Sequence, residues 1–397
     1  MDHIDRLNFL SEAQVRQLAQ KGTPVFVYSR AKLAANASRT LDFQAPYDLG
    51  VRFAMKANPH PEILRLFQDL GIGVDASSGY EADIAIAAGI KPSKIQITGQ
   101  ELPVNLSDLL KKGVKFTACS LHQLESYGKL APGTDVGVRI NPGTGDGMNN
   151  RLTTGGPAAS FGIWHEYIDK VHEIAKKYRL TITLLHTHAG TGTEPEGWLK
   201  VAQKNLELLE RFPDATTTSL GGGFKVGRMR DEKTADLQAI SQPIADSLKA
   251  FAAKTGRKIR LEIEPGNFLV TNSGTLITSV IDTKDTGKDG YRFLIINGGM
   301  TEILRPSLYG AQHPLVVVTK TERKPTKPLD YAVAGHCCES GDMLTVASGD
   351  PETLSPRLLA PAEIGDYLCV EYVGAYCASM RASGYNSFPV TPEILID

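Results

Sequence analysis

The sequence of 397 residues lacks the marks of several protein classes. Its five cysteines contain no CxxC pair, which argues against a zinc finger or a disulfide scaffold and favours a reducing compartment. Lys and Arg number 43 against 44 for Asp and Glu, so no basic surface is expected for nucleic acid. No apolar run approaches the roughly 20 residues that span a bilayer, and the amphipathic start has no signal-like apolar region. We therefore expect a cytoplasmic globular protein without nucleic-acid or membrane partners.

Strand-like and helix-like segments alternate through the first 265 residues. Segments with helical spacing separate short apolar runs rich in β-branched residues. The eight runs are 51–55, 73–76, 95–98, 114–118, 136–141, 182–188, 217–220 and 259–264. This alternation predicts a parallel (β/α)8 barrel of the TIM type, with its chemistry at the carboxyl ends of the strands. An open doubly wound sheet is the alternative, because counting strands does not show closure.

After Pro265 the pattern changes to strand-like runs without helices between them, separated by turns rich in Lys, Pro and Gly. This pattern predicts a C-terminal all-β domain. The early run 24–28 precedes the first barrel repeat and is expected to pair into that β domain. The predicted organisation is therefore a joining segment at 1–35, a barrel at 36–268 and a β domain at 269–397.

Polar and glycine residues follow or end several of the predicted barrel strands. Because parallel strands of a barrel end at one face, these residues are expected to meet there. In chain order they are Lys56, Asp75, Arg139, His186, His188, Gly221, Gly222, Gly223 and Glu264. A solvated lysine and ordinary glycine turns are the alternative interpretation of each residue taken singly.

These residue types suit one cofactor. A desolvated Lys56 amine would attack an aldehyde, and the glycine triplet would let backbone N–H groups approach a phosphate. His186 and His188 share a strand face and could bind zinc, but no third ligand stands near, so a ring stacked on an aromatic cofactor is the alternative. Glu264 could hold a protonated ring nitrogen. Together they indicate pyridoxal 5'-phosphate, whereas no GxGxxG follows the first strand for a dinucleotide.

The chain resembles the barrel-type (fold type III) pyridoxal-phosphate decarboxylases, which share the alanine racemase-like architecture. The segments that carry the resemblance are FAMKAN at 53–58, VDASSGYE at 74–81, HTHAGTG at 186–192, LGGGF at 220–224, LEIEPG at 261–266, RPSLYG at 305–310, HCCESGD at 336–342 and GAYCASM at 374–380. Within the family, RINPGTG and CESGD resemble the bacterial diaminopimelate decarboxylases. The resemblance implies decarboxylation of meso-2,6-diaminopimelate to L-lysine and carbon dioxide, in lysine biosynthesis.

The resemblance also implies roles for the matched residues. Lys56 would bind the cofactor aldehyde, His188 would stack on the pyridine ring and Glu264 would pair with its nitrogen. Asp75 and Arg139 would support Lys56 and the ring oxygen. The residues expected to bind the phosphate are Thr191, Gly221, Gly222, Gly223 and Tyr376.

The β domain would supply the remaining groups, and no metal is implied. In the family the active site forms at the interface of a homodimer, so Cys338 and Glu339 would come from the second subunit. Cys338, or a water that it orders, would return a proton to Cα. The residues expected to contact the substrate are Arg305, Tyr309, Glu339 and Ser340. The alternatives are buried packing for Cys337 and Cys338, an interface aromatic ring for Tyr376 and solvation of the edge of the β domain by Arg305.

One residue departs from the family pattern. The Arg that usually follows Glu-Pro-Gly, where it assists in binding the phosphate or a substrate carboxylate, is Asn267 here. An amide cannot replace the paired charged hydrogen bonds of a guanidinium. The sequence therefore constrains the identity of the substrate less than it constrains the fold. The alternatives are decarboxylation of ornithine, arginine or D-lysine, a racemase, and a non-catalytic carrier of pyridoxal phosphate.

Overall fold

The computed structural model describes residues 5–143, 155–188, 190, 192–324 and 326–397. The chain divides into two compact units. The barrel unit comprises Ala34–Val226 and Lys233–Leu269, and the β unit comprises Met1–Leu33, Gly227–Glu232 and Val270–Asp397. The helices of the described residues lack the combination of length and apolar character that a membrane crossing requires.

The strands, in chain order, are β1 (Val25–Ser29), β2 (Leu49–Ala54), β3 (Gly73–Ala76), β4 (Ile95–Thr98), β5 (Lys115–Ala118), β6 (Asp135–Asn141), β7 (Ile163–Trp164), β8 (Thr181–His186), β9 (Thr217–Ser219), β10 (Arg260–Ile263), β11 (Gly274–Asp285), β12 (Arg292–Ile296), β13 (Leu315–Val318), β14 (Leu329–Ala334), β15 (Val346–Ala347), β16 (Asp350–Leu354), β17 (Arg357–Leu359), β18 (Tyr367–Glu371) and β19 (Glu393–Ile396).

The α-helices are α1 (Glu12–Ala19), α2 (Arg30–Leu41), α3 (Pro61–Asp69), α4 (Gly79–Ala87), α5 (Leu106–Lys112), α6 (Leu121–Leu130), α7 (Ile168–Tyr178), α8 (Pro195–Leu209), α9 (Leu237–Thr255), α10 (Asn267–Val270) and α11 (Arg305–Tyr309).

Eight parallel strands close into a barrel in the barrel unit. They pair in the order β2-β3-β4-β5-β6-β8-β9-β10, and β10 pairs with β2 to complete the ring. The eight strands predicted from the sequence are thus confirmed, and the closing pair excludes an open doubly wound sheet. The strands read as nearly continuous apolar runs because helices cover one face and the barrel interior covers the other.

Serine side chains mark the turns from strand to helix on two barrel strands. Ser78, after β3, accepts a hydrogen bond from the Glu81 N–H at the start of α4. Ser120, after β5, accepts one from the Gln123 N–H at the start of α6. Each cap satisfies an amide that the first helical turn leaves without an intrahelical partner. Both helices therefore begin directly beyond the carboxyl end of a strand.

The β unit is built on a sheet with the order β13-β18-β11-β12-β14-β17. The long strand β11 pairs with β18 along its first half and with β12 along its second, with a change of register between Val280 and Asp282. The early strand β1 pairs with both β11 and β19. The β unit therefore draws its sheet from both ends of the chain.

Candidate active site

Lys56 follows the first barrel strand, in a single 3-10 turn, Met55–Ala57. Met55 and Ala57 are buried, whereas the Lys56 side chain between them is exposed. The turn thus anchors the backbone and projects the amine from the carboxyl end of β2. This exposure differs from the desolvated amine that an apolar strand suggested.

Asp75 lies on the neighbouring strand β3 and is buried. Burial and the negative charge of Glu264 raise the pKa of the Asp75 carboxyl well above its ordinary value, although the positive charge of Lys56 opposes the shift. Its Oδ1 atom has no hydrogen-bond partner among the residues that the structure describes. This carboxyl can therefore hold a proton and bind a further polar group.

Glu264 follows β10 and has a defined partner for each carboxylate oxygen. Its Oε2 lies 2.8 Å from His186 Nε2, and its Oε1 accepts a hydrogen bond of 2.8 Å from the Ser219 hydroxyl. Burial acts to raise the pKa of Glu264, but His186 and Ser219 outweigh it and lower the pKa to about 2. The carboxylate is therefore ionised at neutral pH. The sequence alone suggests a zinc ligand or a stacking ring for His186 and does not reveal this contact with Glu264.

The glycine triplet after β9 passes close to His188 and Glu264. Gly221 has a φ of +70°, and a Cβ on it would lie 2.7 Å from Cγ of His188. A Cβ on Gly222 would lie 2.0 Å from the Glu264 carbonyl oxygen. Any side chain at these two positions would displace its neighbours. The Gly221 amide donates to the Ser219 hydroxyl over 3.1 Å, so this N–H is engaged within the loop.

His188 and the buried Arg139 lie close enough together for the charge of Arg139 to act on the His188 ring. Burial and the positive charges of Arg139 and Lys56 lower the pKa of His188 well below its ordinary value, so its imidazole is neutral. The buried Arg139 guanidinium lies over the Phe161 ring, 4.9 Å from the centroid. Within the described part of the chain, its Nη2 atom has no hydrogen-bond partner. Thr191, predicted to bind phosphate, lies outside the described residues.

The barrel residues thus form a cluster that we call the mouth: Lys56, Asp75, Arg139, His186, His188, Ser219, the 221–223 loop and Glu264. Pyridoxal phosphate requires an amine, a flat surface, an anion for its ring nitrogen and a cradle for its phosphate. The mouth offers an exposed amine, a neutral imidazole, an ionised carboxylate and a loop without side chains. Asp75 Oδ1 and Arg139 Nη2, which are buried and have no partner among the described residues, are further polar contacts that a cofactor could satisfy. These residues fit the cofactor.

The predicted substrate residues of the β unit fall on two segments. Arg305 and Tyr309 begin and end the short helix α11, with the guanidinium 6.0 Å from the Tyr309 ring centroid. The Arg305 Nε atom has no hydrogen-bond partner among described residues. Tyr376 is half-buried and has a φ of +57°, which is uncommon for a residue with a side chain.

Cys338, Glu339 and Ser340 are exposed on one loop of the β unit. The buried Asp342 organises this loop, because its carboxylate accepts from the Cys337 and Met300 amides at 2.9 and 2.7 Å. The Glu339 carboxylate accepts from the Gly341 amide at 3.1 Å. The three predicted residues are therefore presented outwards by a well-bonded turn.

Several known proteins are similar to this chain over most of its length. The diaminopimelate decarboxylase of Buchnera aphidicola subsp. Schizaphis graminum is 37% identical over 353 residues, covering 87% of this chain and 83% of that protein. That of Escherichia coli strain K12 is 32% identical over 397 residues, covering 98% and 92%. The crystal structure of diaminopimelate decarboxylase from Helicobacter pylori complexed with L-lysine superposes with a TM-score of 0.85 at 29% identity, covering 96% and 93%.

A family model gives the assignment independently of these relatives. The model, described as "Pyridoxal-dependent decarboxylase, pyridoxal binding domain", matches residues 31–271. That match spans more than half of the 397 residues and contains every residue of the mouth. The chain therefore belongs to the pyridoxal-dependent decarboxylases, and residues 31–271 are its pyridoxal-binding domain.

Proposed function

We propose that this enzyme, a carboxy-lyase, converts meso-2,6-diaminopimelate to L-lysine and carbon dioxide, in the cytoplasm and as a step of lysine biosynthesis. The observation that carries the proposal is the ionised Glu264, held by His186 and Ser219 in a mouth that also presents Lys56. The substrate assignment is supported by relatives called diaminopimelate decarboxylase that match nearly the whole chain.

Each mouth residue has a task in this proposal. The cofactor, when bound, supplies a ring that accepts the electron pair left on Cα as carbon dioxide departs. Lys56 would hold the cofactor through its amine and yield to the substrate amine, while Glu264 would keep the ring nitrogen protonated because it is an ionised acceptor. His188, as a neutral imidazole, would lie against the ring without adding positive charge. Asp75 and Arg139 would position Lys56 and the ring oxygen.

The phosphate and the substrate would be held by loops. The residues proposed to bind the phosphate are Thr191, Gly221, Gly222, Gly223 and Tyr376. Arg305 and Tyr309 would bind the distal end of the substrate, because a guanidinium recognises a carboxylate through paired hydrogen bonds. Selectivity for decarboxylation would come from orientation, since the bond to Cα held perpendicular to the ring is the one that breaks.

We also propose that the enzyme is a homodimer in which Cys338, Glu339 and Ser340 complete the active site of a second copy. The exposure of all three on one turn supports this, since none of them is buried within its own chain. Cys338 would return a proton to Cα. Mixing inactive Lys56→Ala and Cys338→Ala subunits should restore activity, because a hybrid dimer keeps one intact site. If hybrid dimers form and the mixture stays inactive, the proposal of an active site shared between two subunits is wrong.

The substrate is tested by carbon dioxide release from meso-diaminopimelate, ornithine, arginine and D-lysine. We expect release from diaminopimelate to be fastest. Lys56→Ala should lose both this activity and the visible absorption of the lysine-bound cofactor, whereas Lys111→Ala, an exposed lysine on α5, should lose neither. Faster turnover of ornithine, arginine or D-lysine would support the second candidate, which Asn267 favours because it removes a cation for the distal carboxylate.

A further inference from the structure

The short turn Tyr385–Ser387 of the β unit has an unusual backbone. Asn386 and Ser387 have φ of +49° and +59°, in the left-handed region that residues with a side chain seldom adopt. Such backbone persists only where surrounding contacts hold it, and it is concentrated at sites where a side chain must be aimed. The turn is therefore strained, and its contacts offset that strain.

The side chains of this turn bind two neighbouring residues of the loop that carries Cys338. Asn386 Oδ1 accepts a hydrogen bond from the Cys338 amide at 2.7 Å. The Tyr385 hydroxyl donates to Glu339 Oε2 over 3.2 Å. All four residues are exposed on their own chain, so these bonds add little to the stability of one subunit. Their main effect is to fix where Cys338 and Glu339 lie.

The chain after the turn is tied to the body of the β unit. The Phe388 ring stacks on the His336 ring at the start of the loop, with centroids 3.7 Å apart and planes at 7°. Further on, the Thr391 hydroxyl donates to Oε1 of the buried Glu302 at 2.8 Å, and Glu302 Oε2 accepts from the Gly299 amide at 2.8 Å. The turn can therefore serve as a fixed support for the loop.

The Glu339 carboxylate is held from two sides. Its Oε1 accepts from the Gly341 amide at 3.1 Å and from the Ser340 hydroxyl at 3.4 Å, both within the loop. Its Oε2 accepts from Tyr385, which lies outside the loop. The hydrogen bonds from the Gly341 amide and then from Tyr385 lower the pKa of Glu339, so the carboxylate is ionised at neutral pH. Removing the Tyr385 hydroxyl would let this carboxylate turn.

We propose that Asn386 and Tyr385 are positioning residues for the reaction: Asn386 sets the place of Cys338, and Tyr385 sets the orientation of the Glu339 carboxylate. This inference rests on the roles of Cys338 and Glu339 in the proposed function. Cys338 would move a proton, whereas Glu339 would bind the substrate. Loss of the first contact should therefore lower kcat, and loss of the second should raise KM.

The contact of Asn386 is tested with Asn386→Gly in the holoenzyme, because glycine keeps the left-handed backbone and removes Oδ1. We expect kcat for meso-diaminopimelate to fall about 10- to 100-fold and KM to change less than about twofold, since a misplaced proton donor slows the step without weakening binding. Asn386→Asp keeps an acceptor and tolerates the same φ, so it should recover most of kcat. Ser387→Gly is the matched control at the neighbouring left-handed residue and should match the wild type. An unchanged kcat in Asn386→Gly would overturn the role of Asn386.

The contact of Tyr385 is tested with Tyr385→Phe, which keeps the ring and removes the hydroxyl. We expect KM for meso-diaminopimelate to rise about 3- to 10-fold and kcat to change less than about twofold, because one hydrogen bond to a charged group is lost. An unchanged KM would overturn the role of Tyr385. The same pattern of kcat and KM in Tyr385→Phe and Asn386→Gly would overturn the division of tasks between them.

Hybrid dimers separate positioning from a general structural role. In a hybrid of Lys56→Ala and Cys338→Ala subunits, the Lys56→Ala subunit supplies the working Cys338. Asn386→Gly placed in that subunit should lower the activity of the hybrid about tenfold or more, whereas placed in the Cys338→Ala subunit it should leave the activity unchanged. Equal losses in the two placements would indicate a structural role and overturn the proposal.

Failure of the proposed function gives a different result. It is seen as wild-type holoenzyme that releases no carbon dioxide from diaminopimelate, or as Cys338→Ala that keeps the kcat of the wild type. The positioning role of Asn386 fails by itself when Cys338→Ala is inactive and Asn386→Gly is as active as the wild type. If the wild type prefers ornithine, arginine or D-lysine, the same comparison is made with that substrate.

Discussion

Two glutamates of the barrel, Glu262 and Glu264, are two residues apart at the end of β10 but have different partners. Glu262 lies in β10 and Glu264 directly follows it, and a spacing of two residues in extended chain places both side chains on the same side. Glu262 is held by Arg52, whose Nε and Nη2 atoms donate to its two oxygens at 3.1 and 3.2 Å. Glu264 is held by His186 and Ser219 and lies near the unpartnered Oδ1 of Asp75.

The two glutamates differ in the hydrogen-bonding capacity that their partners leave free for a ligand. The planar fork of Arg52 matches both oxygens of Glu262 and neutralises its charge, so this pair fills the barrel interior and has nothing left to offer a ligand. His186 and Ser219 each provide one hydrogen bond, which keeps Glu264 ionised and leaves lone pairs for another donor. Two glutamates, one in β10 and one directly after it, thus serve stability in one case and, we propose, catalysis in the other.

The largest effect is expected on stability, from Glu262→Ala. Removing one partner of a buried ion pair leaves Arg52 charged and uncompensated, which costs about 3–5 kcal/mol in the free energy of unfolding. Replacing both residues, as in Arg52→Met with Glu262→Leu, should recover most of that loss because no charge stays buried. Denaturant unfolding measures both variants. A single variant as stable as the wild type would show that this pair is not structural.

The next effect is expected on catalysis, from Glu264→Gln. We expect kcat to fall about 100- to 1000-fold, as for other losses of a preorganised charge at a reacting group. The free energy of unfolding should change much less than in Glu262→Ala, because His186 and Ser219 can still bond to the amide. Steady-state kinetics and denaturant unfolding are measured on the same preparation. Equal catalytic losses in Glu262→Gln and Glu264→Gln would remove the distinction between the two carboxylates.

Most of the fold could be predicted from the sequence. The difference between Glu262 and Glu264 was harder to predict. The barrel strands were recognisable because each is a short apolar run that a helical segment follows. Strands β7, β15 to β17 and β19 were not predicted; β16 (DPETL), for example, is polar and mostly exposed, so no apolar pattern marks it. Their pairing depends on neighbours distant in sequence, which a local pattern does not contain.

The residues of the mouth were predicted from their positions at the ends of strands, because the ends of parallel strands meet at one face of a barrel. The contact between His186 and Glu264 joins residues 78 positions apart, and its distance comes only from barrel closure. Nothing local distinguishes Glu262 from Glu264 in the run LEIEPG either, because the partners Arg52 and His186 lie on other strands.

A smaller effect is expected when the support of Glu264 is changed through His186. Because burial raises the pKa of Glu264 and His186 opposes it most, His186→Phe should let that pKa rise from about 2. The acid limb of the kcat profile should move to higher pH, and kcat at neutral pH should fall about tenfold. His186→Gln, which can still donate to Glu264, should restore the profile. A fall in kcat with an unmoved pH profile would indicate a packing role only.

The smallest effect is expected from Asn267→Arg, which restores the usual residue of the family. It should tighten binding of the cofactor or of diaminopimelate, because it returns a guanidinium for a phosphate or carboxylate. The gain in KM for diaminopimelate should be about threefold, as for one added hydrogen bond to a charged group. KM for diaminopimelate and the dissociation constant of the cofactor are measured separately. Unchanged constants for substrate and cofactor would show that position 267 contacts neither.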